Sequence, residues 1–396
     1  MSLNTEAFIP FALPSLDHEE EQAVVAVLRS HWLTTGDVAK RFEGEFAARV
    51  GSLRALAVNS ATAGLHLALE AGGVKPGDYV VTTPFTFTAT AEVIRYLGAH
   101  PMFVDIEPDT LNIDPDRVDE VITRPYKLGR IAAILPVHYG GLVCNMERLT
   151  EAAQRADAII VEDAAHAFPA RRGSRNAGTF GTAGVFSFYA TKTITTGEGG
   201  MVVTDRADIA RRIAVMRLHG IDRDIWDRYT SSHASWEYQV VDAGYKYNMT
   251  DIAAAIGRVQ LKKAEGFLAR RHEIARRYLS AFEGADYLSL PAGGGDAGHS
   301  WHLFTLRIVP GKLRITRDEY VRKLMERGIG TSVHYIPLHI MPYYRTLYGH
   351  TPDDFPNALS AYERIFSIPI YPDLTDDRVD RVIRAILDIG SEHYKR

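Results

Sequence analysis

Three short segments of the chain carry side chains whose chemistry fits together. The first is Phe186-Ser187-Phe188-Tyr189-Ala190-Thr191-Lys192, followed by Gly197, Glu198, Gly199 and Gly200. A lysine crowded by aromatic side chains ahead of a Gly-rich turn is partly stripped of water. Desolvation lowers an ammonium pKa and leaves the amine a nucleophile toward carbonyls. Taken alone, the same segment is equally a surface lysine whose stem lies on aromatic faces. The second segment is Val161-Glu162-Asp163-Ala164-Ala165-His166, which ends the apolar run Ala158 to Val161. Ligands of parallel α/β sheets bind beyond the carboxyl ends of the strands, where Asp163 stands. Its carboxylate suits a ribose hydroxyl or a protonated ring nitrogen, and it suits a helix cap as well. The third is Asn59-Ser60-Ala61-Thr62, at a strand-to-helix turn. Free backbone N–H groups and the positive end of a helix attract a phosphate there, and the hydroxyls of Ser60 and Thr62 add donors. A plain N-cap is the commoner use of such a turn.

Each segment has a structural explanation of its own. Together they supply a phosphate cup, an acid at a strand end and a reactive amine, which are the needs of pyridoxal phosphate (PLP). That cofactor has a phosphate to anchor, a pyridine nitrogen that a carboxylate keeps protonated, and an aldehyde that joins a lysine. Phe87, after the apolar run Tyr79 to Thr82, is a candidate to stack on its ring. A nicotinamide-dinucleotide reading of Asp163 lacks its fingerprint, since no Gly-x-Gly-x-x-Gly precedes the acid.

The elements that must position these groups follow from hydrophobic period. Asp17 to Ser30, Thr62 to Ala71 and Ala89 to Leu97 read as helices. Ala55 to Val58, Tyr79 to Thr82, Pro101 to Val104, Ile131 to Pro136, Ala158 to Val161 and Met201 to Thr204 read as strands. Short unbroken apolar runs between helices predict a mostly parallel sheet buried on both faces, hence an α/β fold. After about Lys263 the pattern changes. A charged helical stretch from Ile252 to Phe282 leads to a Gly-rich segment and the strand Trp301 to Val309. Thr316 and Glu319 then form a capping box, and a last helix follows Thr375, with Val379, Val382, Ile383, Ile386 and Leu387 as its buried stripe. The expected division is a large unit over 1–263 and a small α+β unit over 264–396.

The 396 residues are too many for one ordinary core. A net charge of −4 gives no reason to expect nucleic acid as a partner. Cys144 is the only cysteine, which fits a reducing compartment. Met1 to Pro14 lacks a basic segment followed by an apolar run, and no stretch is apolar enough for a bilayer, so a cytoplasmic enzyme without a membrane partner is expected.

The three segments, with Gly244-Tyr245-Lys246-Tyr247-Asn248-Met249-Thr250-Asp251-Ile252, resemble the DegT-type nucleotide-sugar aminotransferases. The likeness runs from Leu33-Thr34-Thr35-Gly36 to Ser367-Ile368-Pro369. Through Tyr245 to Asp251 and Trp301-His302-Leu303-Phe304 it is greatest toward the UDP-4-amino-4-deoxy-L-arabinose–oxoglutarate aminotransferases. The resemblance implies a fold type I PLP enzyme of amino-sugar biosynthesis (polysaccharide or lipopolysaccharide), a homodimer with shared active sites. It would take L-glutamate as donor and a nucleotide-linked keto sugar, such as a UDP-4-keto sugar, as acceptor.

The resemblance also implies roles. Lys192 is the Schiff-base lysine, Asp163 the partner of the pyridine nitrogen, and His166 lies beside the ring hydroxyl. Phe87 stacks on the ring. Ala61, Thr62 and Ser187 hold the phosphate, with Asn248 reaching it from the other subunit. Family dehydratases carry His where this chain has Lys192, which favours transamination over a lyase. A PLP-binding regulator without turnover is a further alternative, and the intact Lys192, Asp163 and His166 count against it. Val333-His334-Tyr335-Ile336-Pro337-Leu338-His339 matches a family stretch near the substrate, so His334, Tyr335 and His339 are candidate substrate contacts. Their spacing is not that of a helical zinc motif. Arg228, in the loop segment Arg223 to Arg228, is a candidate for the substrate's diphosphate on charge alone.

Overall fold

A computed structural model of the chain describes residues 8–123, 129–222 and 238–395. Its centre is a seven-stranded sheet. In chain order the strands are β1 (Arg54–Val58), β2 (Tyr79–Thr82), β3 (His100–Phe103), β4 (Ile131–Ile134) and β5 (Ile159–Asp163), then a small hairpin of β6 (Arg171–Arg172) and β7 (Arg175–Asn176), then β8 (Ala183–Ser187) and β9 (Gly200–Thr204). The sheet order is β1-β9-β8-β5-β4-β2-β3. All neighbours from β3 to β8 pair in parallel, and β9 alone runs against its two neighbours. β8 and β9 are buried along their whole length, as a strand covered by helices on both faces must be.

Helices α1 (His18–Ser30), α2 (Asp37–Val50), α3 (Ala61–Ala71), α4 (Thr88–Tyr96), α5 (Pro115–Thr123), α6 (Met146–Arg155) and α7 (Ala207–Met216) accompany the sheet. α3 is built of small residues. A Cβ on its Gly64 would lie 2.7 Å from Val185 Cγ1, so glycine lets the helix axis close directly onto β8. That contact brings the N-terminus of α3 to the carboxyl edge of the sheet. α2 begins at Gly36, which has no capping side chain. Asp251 supplies the cap instead, accepting N–H groups from Gly36 at 2.8 Å, Ala39 at 3.0 Å and Val38 at 3.3 Å.

Asp251 also opens α8 (Asp251–Phe282), a 32-residue helix that passes through two cores. Ala254, Ala264 and Phe267 pack under the large sheet, while Ile274, Ala275, Tyr278 and Phe282 belong to the C-terminal core. The sequence changes character at residue 263, inside this continuous helix. Beyond it, β10 (Leu288–Ser289), β11 (Phe304–Ile308) and β12 (Ile365–Ile368) form an antiparallel sheet. α9 (Arg317–Glu326), α10 (Pro342–Tyr348), α11 (Pro356–Arg364) and α12 (Asp376–Glu392) complete this part. α9 carries the expected Thr316–Glu319 capping box. Val379, Val382 and Ile386 of α12 are buried, with Ile383 and Leu387 packed at the edge of the same core. Ile9 joins this C-terminal core too, because it donates to Gly328 O and accepts from Gly330 N, both at 2.8 Å. Among the described residues, no helix is long and apolar enough to cross a membrane.

Candidate active site

The carboxyl ends of β1, β2, β5 and β8 meet around a cavity of about 460 Å³, and residues from Phe11, His302 and the 334–335 segment close it from the C-terminal side. The turn after β1 forms one end. Ser60 is extended and its Oγ accepts from Ala63 N at 3.1 Å, so it is an N-cap. The first intrahelical bond of α3 is Gly64 N to Ser60 O at 3.1 Å, so the N–H groups of Ala61 and Thr62 precede it. Ser60, Ala61, Thr62 and Ser187 all line the cavity. Capping and anion binding are therefore the same geometry here. Gly200 is required beside this cup, since a Cβ on it would lie 2.7 Å from Ala61 N.

Asp163 is the last residue of β5. Its Oδ2 accepts from Thr90 Oγ1 at 2.8 Å and its Oδ1 from Ala165 N at 3.1 Å. Thr90 Oγ1 in turn lies 2.7 Å from Thr86 Oγ1. Burial pushes the Asp163 pKa up, and the bonds from Thr90 and Ala165 with the charge on Lys192 oppose that push. Consecutive strand residues face opposite sides, so the neighbouring Glu162 points away from the cavity. Glu162 Oε1 accepts from Phe180 N at 2.6 Å and Gly181 N at 2.7 Å, and its Oε2 from Gly178 N at 2.8 Å, with His138 Nε2 at 2.9 Å. That carboxylate holds the turn leading into β8. Cys144 sits in the same buried shell, its N donating to His138 Nδ1 and its Sγ to Val137 O, both at 3.2 Å.

Lys192 follows β8 in a turn closed by Lys192 N to Tyr189 O at 2.9 Å. Desolvation lowers its pKa from 10.5 to about 8, against the attraction of Asp163. The aromatics around it divide their work. Phe186 and Phe188 turn into the core against Phe46, with ring centroids 5.1 and 5.5 Å away, while Tyr189 stays on the cavity wall.

His166 is buried, and desolvation with the nearby charge of Lys192 holds its pKa well below the ordinary value. Gly140 N donates to its Nδ1 at 3.4 Å and its Nε2 lies 2.9 Å from Tyr335 OH. A neutral ring accepting at Nδ1 carries its proton on Nε2 and gives it to the Tyr335 oxygen. His334 also lines the cavity, its Nδ1 2.8 Å from Ser367 Oγ, and burial lowers its pKa to about 4. Phe87 is 59% exposed on the cavity wall, its ring 6.2 Å from the Tyr335 ring.

Thus Ser60, Ala61, Thr62, Phe87, Asp163, His166, Ser187, Lys192, His334 and Tyr335 share one cavity. His339 does not join them. It is fully buried against Phe355 with Nε2 3.1 Å from Pro352 O, because the short helical turn at Leu338–Ile340 swings it into the C-terminal side of the core. Asn248 lies outside the cavity of its own chain, its Nδ2 donating to Thr35 Oγ1 at 2.7 Å. Arg228 lies outside the described residues. Sequence reasoning missed Thr90 and His302, which also line the cavity. Thr86 and Thr90, four apart across the start of α4, were the available signal for the first.

The donor set fits PLP. It offers backbone N–H groups at a helix start, a buried carboxylate held by two hydrogen bonds, a desolvated lysine, and the Phe87 ring at the wall of a cavity roomy enough for a flat ring.

Residues 14–387 match the DegT/DnrJ/EryC1/StrS aminotransferase family. The chain is 46% identical over 383 residues to the spore coat polysaccharide biosynthesis protein SpsC of Bacillus subtilis, covering 96% of this chain and 97% of that one. Among solved structures, Spr1654 from Streptococcus pneumoniae in its pyridoxamine phosphate form superimposes with a TM-score of 0.89 at 32% identity, covering 97% of this chain and 99% of the other. Helicobacter pylori PseC, an aminotransferase involved in the biosynthesis of pseudoaminic acid, gives 0.88 at 28% identity, covering 98% and 100%.

Proposed function

From a chain that belongs to the DegT/DnrJ/EryC1/StrS aminotransferase family, and is therefore a PLP-dependent sugar aminotransferase of α/β fold, we propose a specific reaction: transfer of the amino group of L-glutamate to a nucleotide-linked keto sugar, with a UDP-4-keto sugar as the first candidate. The observation that carries this reading is the meeting of Lys192, its pKa lowered to about 8, and the buried Asp163 in one cavity beside the α3 N-terminus. Bound there, PLP supplies an aldehyde that carries the amino group and a ring that draws electrons from the reacting carbon. The chain does the rest. Ala61 and Thr62 N–H groups with Ser187 hold the phosphate, and Asp163 holds the proton on the pyridine nitrogen. Lys192 Nζ, with a pKa near working pH, takes the proton from one carbon and returns it to another. Phe87 and Tyr335 shut water from the ring. The second product is 2-oxoglutarate.

The nucleotide would occupy the open side of the cavity; Arg228, its candidate partner on charge alone, lies outside the described residues. A homodimer in which Asn248 reaches the partner's phosphate is part of the same proposal. The relation to a spore coat polysaccharide protein supports amino-sugar polysaccharide biosynthesis as the setting.

The test incubates the PLP-loaded protein with L-glutamate alone and then with UDP-, dTDP- and GDP-linked keto sugars, reading 2-oxoglutarate and amino sugar by mass spectrometry. We expect stoichiometric 2-oxoglutarate in the first step and an amino sugar in the second, both lost in Lys192→Ala. A protein that releases no 2-oxoglutarate from glutamate, or a Lys192→Ala variant at the parental rate, ends the proposal.

A further inference from the structure

His302 lines the cavity, yet neither its sequence neighbourhood nor the reaction above gives it a task. Three observations single it out. It is only 7% exposed, and its ring lies 4.4 Å from that of His166. Its Nδ1 is sealed from solvent without a hydrogen-bond partner, and of the described residues with such an atom, His339 and Tyr371 among them, His302 alone lines the cavity. A buried polar atom left unpaired costs about 1–3 kcal/mol, so natural cores avoid it unless the group has another use.

The backbone that presents His302 is also held at a cost. Trp301 has φ +49°, the left-handed region that bulky residues rarely enter. Its N–H donates to His299 Nδ1 at 2.9 Å, and its indole stacks on the His299 ring at 4.0 Å. The guanidinium of Arg271, buried on α8, donates from Nη1 to Trp301 O at 3.0 Å, His302 O at 3.4 Å and Ile370 O at 2.8 Å. Ser300 N and Leu303 N are tied to Gly141 O and Gly140 O, both at 3.1 Å. Gly141 cannot be replaced here, since its φ is +103° and a Cβ would meet Ser300 Oγ at 2.1 Å. The strained turn is thus pinned from three sides, and what it fixes is the aim of the His302 ring.

The tautomer follows from the burial. An orphaned acceptor is tolerated in a core more readily than an orphaned N–H, so Nδ1 keeps its lone pair and the proton sits on Nε2. Burial, with the charges of Lys192 and Arg271 near it, keeps the ring neutral. With Nδ1 sealed, Nε2 is the ring nitrogen left to the cavity.

We propose that His302 is a ligand-binding residue whose Nε2–H donates a hydrogen bond to an oxygen of the substrate seated beside Lys192. The acceptor is either a hydroxyl or carbonyl oxygen of the sugar or a carboxylate oxygen of the amino-acid donor. This rests on the transaminase reading, and the two half-reactions separate the sources of the oxygen.

The test compares His302→Phe, which keeps the ring and removes the donor, with His302→Gln, which keeps a donor. Single-turnover absorbance follows L-glutamate and a UDP-4-keto sugar separately on the PLP-loaded variants, and melting temperature is read on the PLP-free chains. We expect His302→Phe to melt no lower than the parent, because the orphaned nitrogen is gone. Its kcat/KM should fall about tenfold or more in the half-reaction whose substrate supplies the oxygen, with His302→Gln recovering part of the loss. A fall in the sugar half-reaction assigns the sugar, and a fall in the glutamate half-reaction assigns the carboxylate. If His302→Phe melts several degrees lower with both half-reactions intact, or if His302→Gln is as impaired as His302→Phe, the proposal is overturned. A parent protein inert toward both substrates refutes the transaminase reading instead, and the melting temperatures then decide whether the imidazole is a structural residue.

Discussion

At the scale of single residues the site trades stability for reactivity. In the unfolded chain the Lys192 amine titrates at its ordinary 10.5, and in the folded chain at about 8. Between those values the unfolded state binds more protons, so stability rises with pH there. The penalty of burying the charge is complete below pH 8 and fades toward 10.5. Lys192→Met should therefore raise the melting temperature of the PLP-free protein by about 1–3 °C at pH 7, with the gain shrinking by pH 10. Calorimetry across that range checks it, and a gain independent of pH would assign the effect to packing alone. Thr90 belongs to the same accounting. Thr90→Val removes the 2.8 Å donor to Asp163 Oδ2 and lets burial push that pKa higher. Weaker hold on the cofactor's ring nitrogen follows, and we expect turnover to fall about tenfold with little change in folding. Parental turnover in that variant would show that the Ala165 bond suffices.

At the scale of elements, the carboxylate beside Asp163 is structural. Glu162 accepts three backbone N–H groups and faces His138. Glu162→Gln would turn an amide donor against those donors, so unfolding by denaturant should become easier by about 2–4 kcal/mol. A loss under 1 kcal/mol would mean the 178–181 turn is held by other contacts. This pair also shows how far the sequence could be read. A strand end carrying two adjacent acids announces that one faces a ligand and the other a core, but the side each takes depends on which helix covers which face. Helices with local signals were legible. Asp17 with Glu20, and Thr316 with Glu319, form capping boxes within three residues. α2 was not legible, because its start is glycine and its cap is Asp251, more than two hundred residues on. β8 was hidden inside a segment read for its lysine. In the site, groups at strand ends and turns could be found from type and position. His339 and His302 could not be told apart, since a short helical turn buries the first and a strained turn presents the second.

At the scale of the whole molecule, the proposed shared site makes a sharp demand. Asn248 stands outside its own cavity. If it serves the partner, Lys192→Ala and Asn248→Ala chains, each inactive alone, should complement when unfolded and refolded together. Half the dimers are then mixed and each holds one intact site, so activity should return to about a quarter of the parent. Dimers that form without regaining activity would mean that Asn248 serves its own chain's site and not the partner's.

The lone thiol of this chain opens one more door. Cys144 lies in the buried shell behind Glu162, its Sγ directed at the Val137 carbonyl. Sealed thiols react slowly with alkylating reagents. A cysteine introduced in place of the exposed Phe87 would thus be labelled against a silent background, and a fluorophore there would report ligand entry without first having to rebuild the protein around it.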